Sequence, residues 1–261
     1  MANKSDPPRS LPLSELVAYL DELLDARSGR DYAPNGLQVE GRNEVGKVVT
    51  GVSACLELFE RAAAAGADAV LVHHGLFWSG DDRALIGVRY RRVKALIDSG
   101  MSLLAYHLPL DRHAELGNNA VGLRRLEVSA LQPFGDLEGQ PVGFRGRFAP
   151  PVARDELVRR CTEVFGQTPQ IFGDGPDPIA SVALVSGAAE KLLYEAIDLG
   201  LDAFITGEVS EWVPNLAREA GVHFLAAGHY ATERLGVERL GKHLAERFGI
   251  EAEFVDVPNP V

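Results

Sequence analysis

A chain of 261 residues, 46% hydrophobic and 24% charged, has an ordinary globular composition with room for one large domain or two modest ones. The net charge of −11 excludes a general nucleic-acid surface, which needs clustered Lys and Arg; a nucleotide substrate stays open, because a metal can supply local positive charge. No apolar run reaches the roughly 18 residues of a membrane span, and two distant cysteines, Cys55 and Cys161, make no disulfide framework or Cys-rich zinc motif, so a reducing cytoplasm is the expected home.

Taken in order, residues 1–12 read as a flexible tail, polar and proline-containing, without the apolar stretch of a secretory signal. A first α/β half is expected over 13–126. Leu16, Val17, Leu20, Leu23 and Leu24 mark a helix over Leu13 to Leu24, with Ser14 as a plausible cap. Pro34-Asn35-Gly36 signals a turn into an edge strand through Leu37 and Val39. Val48 to Val52 reads as a strand, Leu56 to Ala65 as an alanine-rich helix and Ala69 to Val72 as the next strand, the repeating unit of an α/β protein. A polar loop, Ser79 to Arg83, leads to a helix over Arg89 to Ser99 with Val93, Leu96 and Ile97 on one side. Leu103 to Tyr106 is then a strand, and Asn118 is placed to cap a helix running to about Leu126.

Residues 127–180 have a different texture, with seven prolines from Pro133 to Pro178 and glycines between them. Val142 to Phe148 alternates as a strand and Arg154 to Phe165 is helical, so this stretch reads as an inserted α+β subdomain. The earlier pattern returns over 181–261: strand Ser181 to Val185, helix Glu190 to Leu199, strand Ala203 to Thr206, strand Phe224 to Ala226, helix Thr232 to Phe248 and a closing strand Phe254 to Val257. Gly66-Ala67-Asp68-Ala69 matches Gly200-Leu201-Asp202-Ala203, which points to an internal repeat. The expected fold is therefore α/β, with two similar halves packed around one metal-binding site and a short insert between them.

The chemistry collects where open α/β sheets bind ligands, at the carboxyl ends of strands. One strand ends in His73-His74-Gly75-Leu76-Phe77-Trp78. Consecutive residues inside a strand point to opposite faces, so the pair is expected just beyond the strand, where the backbone turns. The next strand delivers His107 and Asp111, and the second half delivers His229 and Glu233, four apart on one helical face. His73, His74, Asp111, His229 and Glu233 make three imidazoles and two carboxylates without a cysteine. Such a set suits two bridged ions better than one structural zinc. Nitrogen and oxygen donors admit Zn, Fe, Mn, Co or Ni. His107 and Glu208 stand second in rank, and His113, His223 and His243 read as ordinary side chains.

The segments HHGLFW at 73–78, HLPLDRH with LGNNA at 107–120, TGE at 206–208 and AGHYATE at 227–233 resemble the NGG-interacting-factor-three-like family. PNGLQVEG at 34–41 resembles that family's N-terminal motif, and the likeness runs from about Leu13 to Val257. Its members often carry the label GTP cyclohydrolase 1 type 2 homologue. The resemblance implies two metal ions on the five residues above and a ring-shaped homohexamer with sites facing an interior cavity.

Three functions follow as alternatives. The first is a metal-dependent hydrolase of a small anionic or nucleotide-like substrate, in which bridged ions lower the pKa of a water. Asn35, Gln38 and Tyr230 would orient the substrate, and His107, four residues before Asp111, would carry a proton. The second is a metal-delivery protein without turnover, and the third an oligomeric scaffold.

Overall fold

The computed structural model describes residues 9–137 and 139–261, so most of the expected tail (1–8) lies outside the described residues. The chain divides into two compact units, Met1–Pro109 with Val237–Val257 and Leu110–Gly236 with Pro258–Val261.

In the first unit β1 (Leu11–Pro12) comes before α1 (Leu13–Leu23), followed by β2 (Gly36–Val39), β3 (Glu44–Val45) and β4 (Lys47–Ser53). Then come α2 (Leu56–Ala64), β5 (Ala69–His74), α3 (Gly87–Ser99) and β6 (Ser102–Ala105). Residues 11 and 12 are not tail: β1 pairs with β3 and Leu11 is buried. The helix α1 starts after Pro12 without a side-chain cap, so Ser14 does not serve as one. Strands β4, β5 and β6 run parallel and are nearly continuous in Val, Leu and Ala, as strands covered on both faces must be. Leu58, Phe59 and Ala62 of α2 and Val93 and Leu96 of α3 pack into one core with Val49, Val70, Val72 and Leu103. Ile97, expected beside Val93 and Leu96, is instead 63% exposed, because a residue next to Leu96 is turned about 100° away from it around the helix.

The second unit opens with α4 (Leu108–Asp111), which begins at the close of the first, and α5 (Asn118–Arg125). It continues with β7 (Ser129–Leu137), β8 (Gln140–Val152), α6 (Arg154–Phe165), β9 (Gln170–Phe172) and β10 (Ile179–Leu184). A 3-10 turn at Glu190–Leu192 leads into α7 (Leu193–Asp198), then β11 (Ala203–Thr206), α8 (Val213–Ala220) and β12 (His223–Ala226). The sheet order is β7-β8-β10-β11-β12-β9. Residues 127–180 contribute to this sheet. Their strands β7, β8 and β9 hydrogen-bond into the same sheet as β10 to β12, because exposed edges of β10 and β12 need partners. Gly117, not Asn118, is the N-cap of α5.

The chain then forms α9 (His229–Phe248), whose residues from Val237 belong to the first unit, and β13 (Glu251–Phe254). Pairing of β13 with β4 completes the first sheet in the order β13-β4-β5-β6-β2. The strand pairing within each unit is consistent with the expected internal repeat. In the first unit β2 pairs antiparallel with β6 at the edge of parallel β4-β5-β6; in the second, β9 pairs antiparallel with β12 at the edge of parallel β10-β11-β12. The matched aspartates do the same work in each. Asp68 Oδ2 accepts the backbone N–H groups of Gly46 and Lys47 at 2.9 and 3.0 Å. Asp202 Oδ2 accepts those of Ala180 and Ser181, both at 2.8 Å. Among the described residues no helix is long and apolar enough to cross a membrane.

Candidate metal centre

His73 and His74 are the last two residues of β5 itself, not of the turn after it. Their rings nevertheless come within 4.7 Å, centroid to centroid. The ladder to β6 stops at Val72, opposite Ala105, while that to β4 runs on to His74, opposite Ser53; at this free corner of the sheet the imidazoles are long enough to converge. His73 is fully buried and its Nδ1 lies 3.1 Å from the Tyr106 carbonyl. A carbonyl only accepts, so the Nδ1 proton is fixed there and the lone pair of the neutral ring sits on Nε2, the usual arrangement behind a ligating histidine. His74 Nδ1 meets Ser53 Oγ at 3.2 Å across the β4–β5 pair.

His107 follows β6 and joins them, its ring 5.0 Å from His73 and 5.6 Å from His74. One ligand nitrogen from each of the three can be chosen so that all lie within 4.8 Å of one another, close enough to hold a metal ion. His107 Nδ1 contacts Asp31 Oδ1 at 2.8 Å. Burial alone would raise the Asp31 carboxyl, but the hydrogen bond and charge of His107, with Asn35 and the Ala33 N–H, hold it below its ordinary value. The Trp78 ring stands edge-on to His107 at 5.2 Å and Tyr32 is tilted against it at 5.6 Å.

In the second unit Asp111 is buried at the end of α4, and its Oδ1 accepts from Asn118 Nδ2 at 2.8 Å and Ser186 Oγ at 2.9 Å. The α9 helix begins at His229, three residues before the expected Thr232, so His229 and Glu233 occupy its first turns. Their facing atoms, Nε2 and Oε1, are 3.1 Å apart. His229 Nδ1 is held by Glu208 Oε1 at 2.5 Å. Burial by itself lowers the His229 pKa, but Glu233 and Glu208 outweigh it and lift the ring to about 9. Two glycines make this packing possible. A Cβ at Gly207 would stand 2.6 Å from His229 Cα, and one at Gly187 would stand 2.5 Å from Glu233 Oε1.

Within the units the structure therefore brings His73 and His74 together with His107, and His229 together with Glu233, while Asp111 is anchored by Asn118 and Ser186. His113 accepts the N–H groups of Glu115 and Leu116, His223 bonds the Gly175–Pro176 backbone, and His243 meets Tyr19 Oη at 2.6 Å. Asn35 and Gln38 have scaffold roles: Asn35 Oδ1 accepts the His107 N–H, and Gln38 ties Leu76 N to the Pro34 carbonyl. Sequence reasoning passed over Asp31 and Ser186. The only local signal for Asp31 is its turn with Ala33, an Asp side chain bonding its own backbone two residues on.

Mixed sheets with imidazoles at strand ends, able to hold a metal ion, define an α/β protein with a candidate metal centre. A family model described as Duf34/NIF3 (NGG1p interacting factor 3) matches residues 11–260, and the chain belongs to that family. It is 44% identical over 251 residues to the Pseudomonas aeruginosa GTP cyclohydrolase 1 type 2 homolog, covering 96% of this chain and 99% of that one. Among solved structures, protein ybgI, whose function is given as unknown, superposes with a TM-score of 0.91 at 41% identity, covering 96% of this chain and 100% of its own. The crystal structure of a Thermus thermophilus protein does so with a TM-score of 0.89 at 36% identity, over 96% and 100%.

Proposed function

We propose that this protein is a metal-dependent hydrolase that holds two divalent ions through His73 and His74 of the first unit and Asp111, His229 and Glu233 of the second. Its substrate is a small anionic or nucleotide-like molecule. The observation that carries the reading is the clustering of His73, His74 and His107 at strand ends, with ligand atoms within 4.8 Å. The donor set fits a metal: His73 and His229 each commit Nδ1 to an acceptor and turn Nε2 forward. Borderline nitrogen and hard oxygen donors suit Zn, Fe, Mn, Co or Ni.

Divalent ions bound there would supply a Lewis acid for a substrate oxygen and would lower the pKa of a water. The chain's own residues do the rest. Glu233 and Asp111 would contribute the negative charge that holds the cations, and Glu208 orients His229. His107 holds or moves a proton at Nε2, because Nδ1 is engaged by Asp31. Trp78 and Tyr32 border His107 with aromatic surface. The relatives' shared name makes GTP the first nucleotide to try. Two free cysteines suit a reducing cytoplasm, and the family resemblance supports a homohexamer.

The test is a hydrolase and nucleotide panel run on protein of defined metal content. About two divalent ions per chain are expected by elemental analysis, with Glu233→Gln losing at least one, since an amide bridges cations poorly. Turnover should fall to background in Asp111→Ala and His74→Ala. A full metal complement in Glu233→Gln removes that residue from the site. Metal uptake without turnover of any panel member above the Asp111→Ala background favours metal delivery instead.

A further inference from the structure

Asp31 has no place in the ligand set, yet its carboxylate is bonded on both oxygens beside the cluster. Four donors converge on it. Oδ1 accepts the Ala33 N–H at 3.1 Å and His107 Nδ1 at 2.8 Å. Oδ2 accepts Asn35 Nδ2 at 2.9 Å and the Leu108 N–H at 3.0 Å. The side chains of Asp31 and His107 are only 8% and 10% exposed. A carboxylate that accepts this many hydrogen bonds remains ionised and has no freedom to turn.

We propose that Asp31 is a positioning residue that locks His107 in the Nδ1–H form and presents Nε2 to the side where His73 and His74 converge. An ionised carboxylate cannot donate, so the nitrogen it touches must carry the proton. This holds whether His107 is neutral or charged, and leaves Nε2 as the nitrogen that exchanges a proton or lone pair. The backbone is held as well as the ring. Leu108 N–H bonds Asp31, and His107 N–H bonds Asn35 Oδ1 at 2.7 Å, while Asn35 itself bonds Asp31. The DYAPN segment at 31–35 therefore clamps both ends of the residue. Ring contacts with Trp78 and Tyr32 limit its rotation further.

The assignment rests on the hydrolase reading only for its consequence in turnover; the tautomer is measurable without activity. Long-range proton–nitrogen NMR on the full-length chain, chelator-treated and zinc-reconstituted, reports which ring nitrogen of His107 is protonated, with His107→Ala identifying the signals. The wild type is expected to be Nδ1–H in both states, with dipolar contacts between the His107 and Trp78 rings. Asp31→Ala should release the ring, shifting it toward the Nε2–H form and weakening those contacts. Asp31→Asn, whose amide oxygen can still accept, should keep the Nδ1–H form. A merely structural aspartate would leave the tautomer where it was. An Nε2–H wild type, or an Asp31→Ala tautomer unchanged, overturns the proposal. Should Asp31→Ala fail to fold, Asp31→Ser, which can still accept the Ala33 N–H but is too short to reach His107 Nδ1, takes its place with the same expected and overturning results. If a substrate is found, Asp31→Ala should lower kcat about 10-fold or more with KM little changed. An altered tautomer with no substrate turned over would sink the hydrolase reading and leave Asp31's role standing.

Discussion

The imidazoles of this protein are defined less by themselves than by what holds their Nδ1 atoms: a carbonyl for His73, Asp31 for His107 and Glu208 for His229. Each partner sets which nitrogen faces outward, the property on which metal binding and proton transfer both depend. A second residue shows how burial alone acts. Cys161 is fully buried in the second unit's core, and that burial pushes its thiol up to about 12 from an ordinary 9.0. For an acid whose folded pKa is raised, the unfolded chain releases its proton first as pH rises. The contribution is complete below pH 9 and is lost toward 12, by up to about 1.4 kcal/mol per pH unit. Urea unfolding at pH 8 and pH 10.5 should show the wild type losing more stability over that interval than Cys161→Ala. Equal losses in the two proteins would refute the linkage.

At the scale of elements, the repeat is maintained by a device that secondary-structure propensity does not explain. Asp68 and Asp202 precede the second parallel strand of each unit and cap the first by accepting two adjacent backbone N–H groups. Their own carbonyls accept from the third strand, at Ser102 N and His223 N. One residue thereby sets the register of three strands. Asp202→Ala leaves two partly buried donors without that acceptor and should destabilise by about 1–3 kcal/mol. Asp202→Asn retains an acceptor oxygen and should lose less. Denaturant midpoints of the two variants compare them, and equal midpoints would show that the carboxylate is not what joins these strands. Register matters to function because it decides how far β5 carries His73 and His74 beyond β6.

For the whole molecule, the five proposed metal ligands are divided two and three between units that the chain crosses three times, at Leu110, within α9 at Val237 and at Pro258. The α9 helix carries two of these proposed ligands in one unit and continues in the other. Assembly is a further step: a homohexamer of the 28.2 kDa chain is expected by light scattering, closed symmetry being the common outcome for self-complementary subunits. A monomer at working concentrations would exclude it.

Local chemistry determined much of this in advance. The apolar runs of β4 and β5, the four-residue step from His229 to Glu233 and the matched Gly-x-Asp-Ala segments were legible because each depends on neighbours in the chain. So was the gathering of His73 and His74, although the expectation that the pair lies beyond its strand was wrong by two residues. Contacts between distant segments were not legible. Asp31 and His107 are 76 residues apart, and Ser186 and Asp111 are 75 apart. The membership of β7, β8 and β9 in the second sheet likewise depends on edges that exist only once β10 and β12 have paired. Periodicity records which face of an element is apolar; only the tertiary structure decides which other element covers it, and which side chain then meets which imidazole.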